Sequence, residues 1–274
     1  MPLSDSEYVK RQRPAPDWII PGLLKRQNTM LIHGEPKEAC KTYLSTKLAF
    51  DVAHCRPLWG IHGITGAPAF VPPHPMRTVH FCMEDTEDDI QDRIVDVAIN
   101  AGGETPTAGL FYAEAKDFRY KLDTPMGMMA IRQVLDAVVA SSGPIDIVIF
   151  DPLRDVMSGD ENSSKDVMEI YQAARFIQQT YNCSTIITHH ITKPPTIPNS
   201  SWDPASPYVM RGSGALYGST DAVVGIVPSK ANSSTPNLHH LALYFKTKRS
   251  GAQRPVKLTV DTATAKIVFK GFKA

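Results

Sequence analysis

Apolar positions recur along this chain in two alternating spacings. Short runs of β-formers stand at NTMLIHG (28–34), TVHFCME (78–84), GLFYAE (109–114), DIVIFD (146–151) and STIITHH (184–190), and each reads as a strand. Between them apolar residues return every three or four positions: Leu44, Leu48, Ala49 and Val52 within 41–54, then the segments 86–100, 125–141 and 164–181. That spacing predicts amphipathic helices. Thr86 is the expected N-cap of the second, with acidic residues at 87–89 where the helix dipole favours them. DIVIFD and STIITHH offer no polar face, as strands covered on both sides do. Strand and helix in alternation predict an α/β fold with a mostly parallel central sheet. The end of the chain changes character. Apolar runs at 222–228, 238–246, 255–261 and 265–270 follow one another through short turns and predict an antiparallel extension of the sheet. The expected organisation is a flexible polar tail over 1–16, an apolar clamp at 17–24 and a single domain over 17–274.

Composition narrows the function. The 274 residues carry a formal net charge of +1, which excludes a wholly basic nucleic-acid coat while leaving room for a local basic loop. With 42% hydrophobic residues a packed core is expected. No apolar run reaches the roughly 18 residues of a membrane helix, and the polar start of the chain lacks the apolar core of a secretory signal. Cys40, Cys55, Cys82 and Cys183 form no C-x-x-C pair and read as reduced thiols of a cytoplasmic protein. Prolines gather at 66–76 and 192–207, where loops are expected.

Five places carry candidate chemistry. The first is Gly34, Glu35, Pro36, Lys37, Glu38, Ala39, Cys40, Lys41 and Thr42, followed by Tyr43, between a strand and a helix. A phosphate-binding loop there presents backbone N–H groups at a helix N-terminus, a lysine to the β/γ-phosphates and a hydroxyl to Mg²⁺. The usual spelling is G-x-x-x-x-G-K-[ST]; here Cys40 replaces the second glycine and the loop is one residue longer. An ordinary strand–loop–helix is the plain alternative. The second is Asp151, whose carboxylate ends a buried strand at the edge where open α/β sheets bind ligands; a turn-capping Asp is its alternative. Glu84, ending the next strand motif, precedes the helix start and so suits water activation better than it suits the dipole. His189 and His190 must point to opposite faces, so at most one faces a nucleotide. Arg211 follows a Pro/Ser/Asn-rich loop and could complete a neighbouring subunit's site, or be a solvated charge at a helix start. Lys246, Lys248 and Arg249 form a basic cluster that alone reads as a solvated turn.

Together these residues resemble the RecA-like ATPase core, and most closely the plasmid RepA type of hexameric replicative helicase, from about Asp17 to Val268. The most specific stretch runs from Ile145 to Lys193: IDIVIFDPLRDVMSGDENSS, a helix, then CSTIITHHITK. DWIIPGLLKRQNTMLIHGEPK and MRGSGALYGSTDAVV resemble further family segments. The resemblance implies ATP and Mg²⁺ as cofactors. It implies Lys41 and Thr42 as the Walker A pair, Asp151 as the Walker B carboxylate that shares the metal with Thr42, and Glu84 as catalytic base. His190 resembles the γ-phosphate sensor, with His189 its neighbour. Arg211, with Lys246, Lys248 and Arg249, resembles the basic groups that act on the adjacent subunit's ATP. Loops over 154–164 and 192–210 would line a channel for single-stranded DNA, with Arg154, Lys165 and Lys193 as nearby cations and Trp202 and Tyr208 as stacking or anchoring rings. The implied assembly is a homo-oligomer, a hexameric ring, working with other replication proteins and no membrane. Cys40 departs from the pattern, because a left-handed backbone is strained for any residue with a Cβ.

The expected function is therefore an ATP-hydrolysing ring-forming motor on single-stranded DNA, of the plasmid or phage replicative helicase type. Two alternatives stand beside it: a RecA-like recombination or annealing ATPase that does not unwind, and a nucleotide-binding scaffold with a degenerate phosphate loop.

Overall fold

A computed structural model describes residues 15–67, 69–103, 109–114, 120–191, 214–229, 235–247 and 251–273, with single positions at 5, 10, 11, 203 and 206. The predicted clamp is a small antiparallel hairpin, β1 (Trp18–Ile20) with β2 (Leu24–Lys25), whose Ile19, Ile20, Leu23 and Leu24 are buried. The other strands are β3 (Thr29–Gly34), β4 (Thr78–Cys82), β5 (Leu110–Glu114), β6 (Ile147–Asp151), β7 (Ser184–His190), β8 (Ala222–Pro228), β9 (Leu238–Thr247), β10 (Gly251–Ala252), β11 (Val256–Asp261) and β12 (Lys266–Phe272). Among the described residues they form one ten-stranded sheet in the order β12-β11-β9-β8-β3-β7-β6-β4-β5, with β10 paired to β9. From β8 to β5 every pairing is parallel; from β8 to β12 every pairing is antiparallel. The order explains the patterning: β3, β6 and β7 lie inside the sheet and are covered on both faces, so they read as unbroken apolar runs.

The helices are α1 (Lys41–Ala53), α2 (Glu87–Asn100), α3 (Pro125–Ser142), α4 (Ser164–Tyr181) and α5 (Ala215–Ser219). Their starts are written locally. Thr86 and Asp89 close a reciprocal capping box on α2, Thr124 accepts from Gly127 N at 3.1 Å with Pro125 in the first turn of α3, and Ser163 accepts from Asp166 N at 3.3 Å on α4. Gly127 is needed for a steric reason, since a Cβ there would stand 2.1 Å from the Lys121 carbonyl oxygen.

Two apolar layers sandwich the sheet. On one face Leu44, Leu48 and Val52 of α1 meet Ile32, Ile149, Ile186 and Val224. On the other, Ile131 and Leu135 of α3 and Val167, Ile170 and Ile177 of α4 meet Leu31, Val79, Phe81, Val148, Phe150 and Ile187. Each such side chain contributes about 1.5–3 kcal/mol by leaving water. Because side chains alternate along a strand, odd and even positions of β3, β6 and β7 serve different layers. The carboxyl ends of β3, β4, β6 and β7 all emerge along the edge where α1 begins. Among the described residues no helix is long and apolar enough to cross a membrane.

Candidate active site

β3 ends at Gly34, residues 35–40 turn, and α1 opens at Lys41. Gly34 cannot carry a side chain: a Cβ would lie 2.5 Å from Ala39 Cβ and 3.0 Å from the Ile226 carbonyl oxygen. Cys40, directly before the helix, sits at φ 47 and ψ 37. The chain thus adopts, with a cysteine, the left-handed geometry that glycine supplies freely. Lys37 at φ 64 makes a second left-handed turn within this longer loop. Burial and the neighbouring Glu38 push the Cys40 thiol up to about 12 despite Lys41, so it is not a thiolate at neutral pH. Lys41 is itself buried, and its Nζ donates to the carbonyls of Gly34 at 3.2 Å and Glu35 at 3.0 Å. Burial lowers its ammonium to about 8, against the pull of Asp151, Glu84 and Glu35. A phosphate at this loop would supply the counter-charge that a buried ammonium lacks.

Asp151 ends β6 beneath α1 and is almost wholly buried. Its carboxylate accepts from Ser45 Oγ at 2.8 Å and Thr188 Oγ1 at 2.5 Å, while His80 Nε2 stands 3.6 Å away. Burial would raise its pKa, but His80, Thr188 and Ser45 hold it at about 2, so it remains an anion. An ionised carboxylate at the end of β6 and a Thr42 hydroxyl in the first turn of α1 are hard oxygen donors of the kind that suits Mg²⁺, and the residue types present fit that ion. Ser45, Thr188 and His80 escaped sequence reading. Ser45 lies one helical turn beyond Lys41, and that spacing was the available signal; Thr188 and His80 meet Asp151 only because β4 and β7 flank β6.

Glu84 follows β4, and the backbone there is tied to β6 by Met83 N donating to the Asp151 carbonyl at 2.9 Å. Its carboxyl is raised from the ordinary value by partial burial and by the charges of Asp155, Asp151 and Asp85, with Lys41 opposing. Asp155, also missed in the sequence, is raised by burial and Asp151 and lowered by Lys121 and Arg154. In the β3–β7 register His190 stands opposite Gly34, and it shares strand parity with Thr188, on the α1 face. His189 stands opposite His33, on the far face. Lys41, Thr42, Glu84, Asp151 and His190 are thus gathered on one edge.

His33 is fully buried, and neither ring nitrogen has a hydrogen-bond partner among the described residues. Burial, followed by His189 and Lys41, lowers its pKa from 6.5 to about 3. The imidazole therefore stays neutral in the fold while the unfolded chain takes up a proton below pH 6.5. Its contribution is complete above that value and is lost as pH falls toward 3, reaching about 2 kcal/mol at pH 5. His33→Leu is expected to lose correspondingly less stability between pH 7 and pH 5, as read by urea unfolding at both; an equal loss in both proteins would refute it.

The remaining candidates lie elsewhere. Arg154 is exposed in the short 3₁₀ turn Leu153–Val156, and Lys165 is exposed in the first turn of α4, 3.9 Å from Glu169. The segment following Asp151 is held from beneath: Lys121 Nζ donates to the carbonyls of Asp155 and Met157 at 2.6 and 3.1 Å, and Asp123 accepts from Ser158 N and Gly159 N. Lys246 is paired with Val223, which pairs with Leu31, three residues before Gly34. It therefore lies about 10 Å toward the amino-terminal end of the sheet. Its Nζ sits over the Tyr217 ring at 5.2 Å, on the face opposite α1. Lys246 is not brought to the phosphate loop of its own chain. Lys193, Arg211, Lys248 and Arg249, with Trp202 and Tyr208, lie outside the described residues.

A family model described as an AAA domain matches residues 1–196. No curated protein matches the sequence. Among solved structures, one described as an ATPase domain is similar with a TM-score of 0.61 and 13% identity, covering 89% of this chain and 85% of that one. A DnaB-like replicative helicase, described with its primase interactions, is similar at 0.60 and 13%, covering 89% of this chain and 59% of the other. A KaiC-like protein of Pyrococcus horikoshii OT3 follows at 0.54 and 12%, covering 92% and 93%. Likeness at such identity speaks to the fold, and that fold is the RecA-like one expected from the motifs. The chain belongs to the AAA domain family, on the RecA-like fold of ATPase domains.

Proposed function

We propose that the chain hydrolyses ATP with Mg²⁺ and uses it to move a ring of copies along single-stranded DNA. The observation that carries this reading is the buried anion Asp151, hydrogen-bonded by Ser45 and Thr188, set under a buried Lys41 and beside Glu84. In this reading the backbone of 34–40 wraps the phosphates and Lys41 leaves its two carbonyls for a phosphate oxygen. Thr42 and Asp151 would hold Mg²⁺, whose charge offsets that of the phosphates. Glu84, kept partly desolvated among other carboxylates, is a stronger base than an ordinary carboxylate and takes the proton of the attacking water. His190, opposite Gly34, hydrogen-bonds near the terminal phosphate. Arg211, with Lys246, Lys248 or Arg249 of a neighbouring copy, stabilises the charge of the transferring phosphoryl group. Arg154, Lys165 and Lys193 meet DNA phosphates, so binding weakens with salt. The helicase assignment draws on the similarity to the DnaB-like replicative helicase.

The left-handed Cys40 speaks against a degenerate scaffold, because the loop holds its turn without the glycine. The test is steady-state ATP hydrolysis with and without single-stranded DNA, beside Lys41→Ala, followed by unwinding of a forked duplex. Turnover that DNA stimulates and Lys41→Ala abolishes is expected. Turnover without unwinding would move the assignment to an annealing ATPase, and no turnover in oligomeric protein would leave the scaffold.

A further inference from the structure

Glu84 stands on a short segment between β4 and α2, and its own side chain is exposed. Something else must fix its aim. The next residue, Asp85, receives both forks of one guanidinium: Arg93 Nη1 donates to Oδ2 at 2.7 Å and Nη2 to Oδ1 at 3.1 Å. The pair is largely withdrawn from solvent, with side-chain exposures of 11% and 20%. A bidentate Arg–carboxylate contact fixes a plane as well as a distance, and at this burial it is not the weak surface pair of an open helix. Arg93 also touches a third element. Its guanidinium carbon lies 5.1 Å from the ring centroid of Tyr43, the residue after Thr42 on α1. Tyr43 is anchored in turn, its hydroxyl donating to the Thr262 carbonyl at 3.0 Å beyond β11. The α2 capping box sets Arg93 two turns along a helix whose start cannot slide.

We propose that Arg93 is the positioning residue of the water-activating carboxylate. It clamps the Glu84–Asp85 segment to the helix that bears Lys41 and Thr42, so that base and phosphate loop keep one spacing. The inference rests on Glu84 acting as the base. Placement of a reacting group matters steeply, about 10²-fold for an error near 1 Å. In this proposal Arg93 acts through Asp85 and not directly on the reacting groups, so its effect should fall on kcat and not on KM.

Arg93→Lys keeps the charge and loses the fork; Arg93→Met loses both; Asp85→Asn opens the clamp from its other end. ATP hydrolysis is measured across pH for each, with melting temperature and with Glu84→Gln alongside. Arg93→Lys is expected to lower kcat by roughly 10-fold or more, with KM within about twofold. Arg93→Met leaves Asp85 uncompensated next to Glu84, so the acid limb of its rate profile should move to higher pH; in Asp85→Asn it should move lower. A lowered melting temperature with unchanged kcat and unmoved pH limbs would make Arg93 structural only and overturn the proposal. If Arg93→Lys does not fold, Asp85→Asn tests the same contact from the carboxylate side. Glu84→Gln turning over at the parent rate refutes the base assignment and this proposal with it. A dead Glu84→Gln beside an unimpaired Arg93→Lys and Asp85→Asn refutes the clamp alone.

Discussion

Glu84→Gln is expected to bind ATP and to turn it over roughly 10²- to 10⁴-fold more slowly, the range of a lost general base. The amide keeps the shape and the exposure of the side chain but cannot accept a proton from water. Affinity should not fall, because Glu84 carries the same sign of charge as the phosphates and acts on Lys41 only through space. The parent enzyme should lose kcat/KM as pH falls through a pKa above the ordinary carboxylate range, since partial burial and the charges of Asp155, Asp151 and Asp85 raise it. In Glu84→Gln that limb should vanish. The measurement is single-turnover hydrolysis with a separate titration of a fluorescent ATP analogue. Parent-level turnover in the variant would remove Glu84 from the chemistry, and a loss confined to affinity would make it a binding residue.

Asp51→Ala is expected to cost about 3 kcal/mol of stability, the lower end for breaking a buried ion pair. Asp51 lies near the end of α1, with its side chain almost unexposed, paired with Lys47 one turn back. It also accepts from Trp59 N at 2.7 Å. Trp59 is buried at φ 52, and its indole donates to the Leu44 carbonyl at 2.8 Å, so the segment after α1 is folded back over the helix by this carboxylate. Without it Lys47 keeps a largely buried charge and Trp59 N loses its acceptor. Desolvation raises the Asp51 pKa in spite of Lys47 and Trp59, so the loss comes from the stranded partners, not from a strongly favourable pair. Asp51→Asn keeps an acceptor for Trp59 and should recover part of the loss. Equilibrium unfolding in urea reads both; a change in Asp51→Ala below about 1 kcal/mol would contradict the account.

Strands and helices are legible in the sequence because their apolar periods differ. Segment 164–181 reads as a helix and is one, closed by Asn182 at φ 50; Thr86 reads as a cap from its acidic neighbours and does cap. The opposed faces of His189 and His190 follow from strand alternation alone, and the register places them so. Pro21-Gly22 is a turn signal in 17–24, but strands of three and two residues are too short to show an alternating pattern, so the sequence reads there only as an apolar clamp. The partners of Asp151 are out of reach for another reason. Ser45, His80 and Thr188 are 106, 71 and 37 positions away in sequence. What joins them is strand order, which no local pattern encodes. Asp85 and Arg93 lie eight apart, beyond the usual i, i+4 reach, because Asp85 precedes the helix.

Lys246 and the phosphate loop occupy opposite ends and opposite faces of one sheet. A two-fold contact uses a single patch on each partner, and no single patch holds both of these. If Lys246 serves a neighbour's ATP, the contact is head-to-tail, and head-to-tail contacts repeat until they close. A rotation per copy that divides a full turn evenly, with no rise along the axis, gives a ring, and any other screw gives a helical filament. The choice between a closed ring and an open polymer then rests on the rotation and rise between neighbours, and a substitution far from ATP could switch it.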